Sequence, residues 1–389
     1  MADELSYVAI DPYSLFKSRT GGIIARLLTR TGLDWVSARM FAPTRELAET
    51  YAQEVERDHA SQDTVLGGLM GNYARLNLAP NEVTKKPNRL LVLVFKGPQA
   101  VARIGQAVGD FKPLARSAET IRDTYGDYVL GPTGEIRYFE PAVFAPVSAE
   151  GARRQLELLA RYSVTCSGLL RNALVYPPGT EPERTLVLIK PDNFRFPSGR
   201  PGSLIDLFSK AGLYIVGMKV QKMSVAQAEE FYAPIKENLK VKIGETVAAR
   251  ARELVESALP YHLNDSVQIE MARILAPVVG EQHFDNLVRF MAGKSAKECG
   301  QEDRALPGTE KSIAVVYEGP DAVRKIREVL GPTDPAQAPP GSIRREFGQN
   351  IMVNAAHASD SIANAEREIK IIDVAENTFK TLIENFYTK

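Results

Sequence analysis

Tyr7-Val8-Ala9-Ile10-Asp11-Pro12 is written a second time in this chain as Leu186-Val187-Leu188-Ile189-Lys190-Pro191: a short apolar strand, one charged residue, a proline. Internal repetition is followed outward first, because it fixes the structural unit before any element is assigned. Each copy continues with a glycine (Gly22, Gly202), then an apolar-periodic helix (Ile23, Ile24, Leu27, Leu28; Leu204, Ile205, Leu207, Phe208), then Gly32-Leu33 or Gly212-Leu213. A second strand follows (Trp35 to Met40; Tyr214 to Val220), and a helix that ends near Tyr51 or Tyr232. Strands over 90–95 and 312–317 lead into Lys96-Gly97-Pro98-Gln99-Ala100-Val101 and Glu318-Gly319-Pro320-Asp321-Ala322-Val323. Thr120-Ile121-Arg122 answers Ser342-Ile343-Arg344, and Ala152-Arg153-Arg154-Gln155-Leu156 answers Ala365-Glu366-Arg367-Glu368-Ile369. Landmarks kept in one order through both halves establish a duplication.

Strands interleaved with helices in this order predict an α+β fold: two tandem ferredoxin-like (βαββαβ) sandwich domains with antiparallel sheets. The Pro-rich stretch Val175 to Pro182 reads as the linker, giving domains of roughly 1–170 and 183–389. Two stretches have no counterpart in the first copy, about 236–280 and 296–310. The former carries an apolar-periodic pattern (Val247, Ala248, Ala251, Leu254, Val255, Ala258) and reads as a helical insertion.

The 48 basic and 48 acidic residues cancel, so no global field draws the protein to nucleic acid or an anionic membrane. Cys166 and Cys299 are too few for a disulfide framework or a thiolate metal cluster. The acidic opening is followed by no apolar signal core and no run reaches membrane-spanning length, so a cytoplasmic setting is expected. His59, His262 and His283 have no metal-ligand spacing and read as structural or exposed. Gly293-Lys294-Ser295 is no phosphate-binding P-loop, which needs a glycine where Val288 stands.

The chemistry concentrates in Asn354-Ala355-Ala356-His357-Ala358-Ser359-Asp360-Ser361, with Glu368 eleven residues past the histidine. It is accompanied by Lys190-Pro191-Asp192, by Arg327 to Thr333, and by the loop Asp334-Pro335-Ala336 through Pro340-Gly341-Ser342-Ile343-Arg344. Together these residues resemble the nucleoside diphosphate kinase family over most of 184–375. A lone histidine is usually structural; this one stands in a signature. A neutral imidazole is nucleophilic near pH 7, and needs a partner to fix its tautomer, a task that suits Glu368. The helix starting near Ser361 reads as burying Ile362, Ala365, Ile369 and Ile372, with Glu368 off that stripe. Phosphoryl transfer asks chiefly for fixed cations and donors around three oxygens.

The resemblance implies Lys190, Arg327, Arg344 and the Thr333 hydroxyl as those groups. It implies Asn354 and Lys190 near the ribose hydroxyls, and Tyr232 beside His357. The implied activity is reversible transfer of the γ-phosphate from a nucleoside triphosphate such as ATP to a nucleoside diphosphate, through phosphorylated His357. Mg2+ would arrive on the nucleotide phosphates. Where the family stacks an aromatic on the base and donates an arginine to phosphate, this chain aligns His283 and Glu281, with Ile351 left for the opposite face of the base.

The first copy lacks this equipment: Asp11 stands for Lys190, Phe144 for His357, Pro141 for Asn354 and Gly105 for Arg327, while Arg122 matches Arg344. It is expected to be inactive and to take the place of a second subunit, as an intramolecular pseudo-dimer, with further homo-oligomers left open. Neither a membrane nor a nucleic acid is expected as partner. Two other readings stand beside the kinase: a nucleotide-binding or scaffolding pseudoenzyme, and a phosphohistidine donor to a protein acceptor.

Overall fold

The computed structural model describes residues 2–111 and 118–388. The N-terminal half carries strands β1 (Asp3–Ile10), β2 (Asp34–Phe41), β3 (Leu90–Pro98), a hairpin of β4 (Asp127–Leu130) and β5 (Ile136–Glu140), and the two-residue β6 (Val143–Phe144). The four-stranded sheet has the order β2-β3-β1-β6, with antiparallel neighbours. This is the order of a ferredoxin-like βαββαβ sandwich. The run Leu90 to Phe95 is wholly buried, as a central strand covered on both faces must be.

The C-terminal half repeats the plan with β7 (Glu183–Ile189), β8 (Tyr214–Gln221), β9 (Ser312–Gly319) and β10 (Ala356–Ala358), in the order β10-β7-β9-β8. The likeness extends to unusual backbone. Gln99 and Asp321 both take φ 55°, and Ala142 and Ala355 take 62° and 70°. Left-handed conformations at non-glycine residues carry a cost, so their recurrence at matched positions marks the same chain path in both halves. The α+β, antiparallel expectation is what the structure has.

By compactness the chain divides into one unit of 1–221 with 313–389, which holds both sheets, and a second of 222–312. Within the first, the helices Thr20–Thr31 and Arg200–Phe208 cross backbone to backbone. A Cβ on Gly202 would come within 2.3 Å of the Ala25 nitrogen, and one on Gly21 within 2.2 Å of the Asp206 nitrogen. Only glycine permits that approach from both sides. The last helix, Thr378–Tyr387, returns to the N-terminal half, setting Phe379 edge-on to Phe41 at 5.5 Å. Arg39 donates to the carbonyls of Ser163, Cys166, Ala375 and Glu376, pinning that return.

The second unit is built on Lys236–Ala258 and Asp265–Ala292, packed as a helical hairpin. Its close crossing is set by Gly244, where a Cβ would sit 2.6 Å from that of Ala276. Among the described residues no helix is long and apolar enough to cross a membrane.

Candidate active site

The edge strand β10 is three residues long, and its alternation decides where the histidine points. Ala356 and Ala358 are buried, so His357 between them turns to the opposite side and stays partly open. The strand pairs with β7, His357 opposite Leu188. Just before it, left-handed Ala355 aims its carbonyl at the Lys190 N–H (3.0 Å) and the Asn193 side-chain amide (2.7 Å).

After β10, Ser361 caps the helix Ile362–Ile372 by accepting from the Asn364 N–H. The buried residues of this helix are Ala365, Glu368 and Ile372. This corrects the sequence reading: Ile362 is 49% exposed, and Glu368 lies on the buried stripe rather than off it. A carboxylate is tolerated there because donors surround it. His357 Nε2 is 2.9 Å from Glu368 Oε2, the Ser359 hydroxyl donates to the same oxygen at 2.6 Å, and Arg367 stands 3.6 Å from Oε1. With Nε2–H donating to the carboxylate, the imidazole lone pair is on Nδ1.

The cations converge through the backbone. Lys190 is buried, donating to Asn354 Oδ1 (2.6 Å) and the Met352 carbonyl (3.1 Å). Burial, and then the neighbouring charge of Arg344, push its ammonium down to about 7. Asn354 in turn donates to the carbonyls of Thr333 and Ile351, joining three predicted residues to Lys190 in one network. Arg344 donates to the carbonyls of Gly331 and Ala356, the latter adjacent to the histidine. Arg327 is exposed in the last turn of Ala322–Leu330 and lines a shallow surface cavity with Asp360 and Ser361.

Thus Lys190, Thr333, Arg344, Ile351, Asn354, His357 and Glu368 lie in one connected cluster. Thr333 and Ile351 are exposed at its rim, and it is the Thr333 carbonyl that the network uses. Tyr232 and His283 belong to the second compact unit: Tyr232 is buried edge-on to Phe231, and His283 is half-buried on Asp265–Ala292. Ser359 was given no role from sequence, although it sits two residues after the histidine; its hydroxyl shares the Glu368 oxygen.

The fold and this cluster define the class: a ferredoxin-like α+β protein with a carboxylate-oriented histidine at the edge of its sheet. The nucleoside diphosphate kinase family model matches residues 183–242 and 270–377, leaving 243–269 of the hairpin unmatched. The nucleoside diphosphate kinase of Anaeromyxobacter sp. (strain Fw109-5) is 33% identical over 187 residues, covering 48% of this chain and 86% of that protein. That of Azorhizobium caulinodans is 34% identical over 187 residues, covering 48% and 90%. The crystal structure of an NDP kinase from Pyrobaculum aerophilum aligns with a TM-score of 0.33 at 29% identity, over 49% of this chain and 95% of that one. The chain belongs to the nucleoside diphosphate kinase family.

Proposed function

We propose that the protein is a nucleoside diphosphate kinase working in two half-reactions through His357. The contact that carries this reading is His357 Nε2 to Glu368 Oε2 at 2.9 Å, which orients the ring and sets the tautomer with its lone pair on Nδ1, the atom that attacks. In the first step Nδ1 bonds to the γ-phosphorus, the bond from that phosphorus to the bridging oxygen breaks, and the nucleoside diphosphate leaves. In the second the phosphoryl group passes to an incoming diphosphate. Arg344, Arg327 and Lys190 balance the charge on the transferred group, and Asn354, Thr333 and Ile351 position the nucleotide. Glu368 is a positioning residue, as is Ser359.

Tyr232 and His283 are assigned beside the phosphate and the base by resemblance. Mg2+ enters with the nucleotide as part of the substrate. The N-terminal half is proposed as a degenerate copy that fills the place of a second subunit. The near-reciprocal glycine crossing of Thr20–Thr31 and Arg200–Phe208 supports it, since like elements meet as they do across a two-fold.

The test is incubation of the full chain with magnesium and γ-labelled ATP, removal of nucleotide, and addition of GDP, with His357→Ala alongside. Acid-labile label on the wild type alone, passing to GDP, is the expected result. Absence of label sinks the kinase reading and leaves a nucleotide-binding relative. Label that stays put with GDP present redirects the phosphohistidine to a protein acceptor.

A further inference from the structure

The N-terminal half carries an open cavity of about 1200 Å3 on the side of its sheet where Arg122 stands. Arg122 is held like Arg344: its Nη1 donates to the Gly109 carbonyl (2.8 Å), as that of Arg344 does to Gly331. The difference lies at Nη2, which in Arg344 donates to the Ala356 carbonyl. In Arg122 both Nε and Nη2 are buried and have no hydrogen-bond partner, while the ring of Phe111 covers the guanidinium face at 3.6 Å. Nε and Nη2 form the side-on edge of the guanidinium, the pair of parallel donors that engages two oxygens of an oxyanion at once.

His59, from the helix Arg45–Ala60, lines the same cavity at 2% exposure. Its Nδ1 is 3.0 Å from the Val55 carbonyl and therefore carries the proton. Burial, and then the charge of Arg122, push its imidazole down to about 4, so the ring is neutral and Nε2 is an acceptor. That atom too is buried and unpartnered. Three buried polar atoms, two donors and one acceptor, are thus left unmet on two residues that line one cavity, which native interiors rarely permit without a ligand or water to answer them.

We propose that this cavity binds a singly protonated phosphoryl group, two of its oxygens accepting from Arg122 Nε and Nη2 and its O–H donating to His59 Nε2. The donor–acceptor pattern selects the chemistry. Sulfate and carboxylate carry no proton at neutral pH and leave the His59 acceptor unmet. Glu4, Asp63 and Asp110 also line the cavity and disfavour a polyphosphate tail, so the ligand is free phosphate or a small phosphate monoester. The site is separate from His357 and does not depend on the kinase reading.

The test follows the imidazole signals of His59 by NMR in the full-length chain, assigned by their loss in His59→Asn. Inorganic phosphate and methyl phosphate are titrated in, with sulfate and acetate as controls. Phosphate is expected to move the His59 signals saturably, and sulfate to need at least about tenfold higher concentration, as is Arg122→Lys, which keeps the charge but loses the side-on edge. A response to methyl phosphate as well assigns a monoester; a response to inorganic phosphate alone assigns the free ion. The proposal is overturned by unmoved His59 signals, by sulfate or acetate matching phosphate, or by an unchanged response in Arg122→Lys. An unchanged urea midpoint checks that variant's fold. Should it unfold, equilibrium dialysis of His59→Asn decides: one phosphate fewer per chain supports the site, and an unchanged count refutes it.

Discussion

Phe144 pairs with Ala9 in one half of the molecule, and His357 pairs with Leu188 in the other. Since Ile10 and Ile189 are matched, these are the same position in two copies of one sheet. The residues immediately after β1 and β7 differ as sharply. In the C-terminal half Lys190 reaches Asn354; in the N-terminal half Asp11 is buried with Glu140, both bound by the Tyr73 hydroxyl at 2.9 and 2.6 Å. The backbone that aims these side chains, including left-handed Ala142 and Ala355, is kept in both. One chain path carries two different sets of side chains, because packing holds the path and only a few side chains hold the chemistry.

The comparison is broken most directly at the histidine. His357→Ala is expected to lower phosphoryl transfer by roughly 10⁴-fold or more, and Phe144→His to restore none of it, because buried Asp11 still stands where Lys190 is needed. Transfer measured in the double variant settles both at once. Next in size is the joint between the halves. Gly202→Ala drives a methyl into the backbone of Thr20–Thr31 and is expected to cost about 3 kcal/mol, read as a lower urea midpoint. Glu368→Gln keeps the volume but weakens the hold on the imidazolium; a fall in kcat of about 10²-fold is expected, with KM little changed.

Two smaller effects sharpen the contrast at Asp11 and Lys190 through pH. Lys190 titrates near 7 in the folded protein, well below its unfolded value of about 10.4. Between those values the unfolded state binds more protons, so stability rises with pH across that window. A nucleotide polyphosphate beside Lys190 raises its pKa again, so binding at pH 8 should take up nearly one proton per site, absent in Lys190→Met. Calorimetry in buffers of different ionisation enthalpy measures it. For Asp11 the shift is opposite: burial, and then Glu140, hold its carboxyl well above the usual range. Its contribution is intact in acid and lost as pH rises from about 4 through the folded value, so Asp11→Asn should stabilise the protein at pH 8 and not at pH 4, read as the urea midpoint at each pH.

Some of this was legible in the residues alone. The repeated strand–proline phrase and the histidine signature are local patterns, and the strand order they imply follows from the βαββαβ connection rules. The aligned position of Phe144 was also readable, since strand register follows the same spacing in both copies. The burial of Glu368 was misread because helical periodicity reports which residues are apolar; Glu368 is turned inward by donors on another element, His357 and Ser359. The insertion was visible as a break in the repeat, while its extent as a two-helix hairpin, with Gly244 at the crossing, was not.

The sequence by itself determined the α+β class and the family, and it set out the repeated landmarks and the histidine signature, because each rests on order and spacing along the chain. Only the tertiary structure decided that Lys190 is buried against Asn354, that Asp11 and Glu140 share Tyr73, and that Arg122 and His59 line one cavity with Arg122 Nε and Nη2 and His59 Nε2 unmet. Those outcomes depend on desolvation and on partners far apart in sequence, and neither is encoded in any window of neighbouring residues.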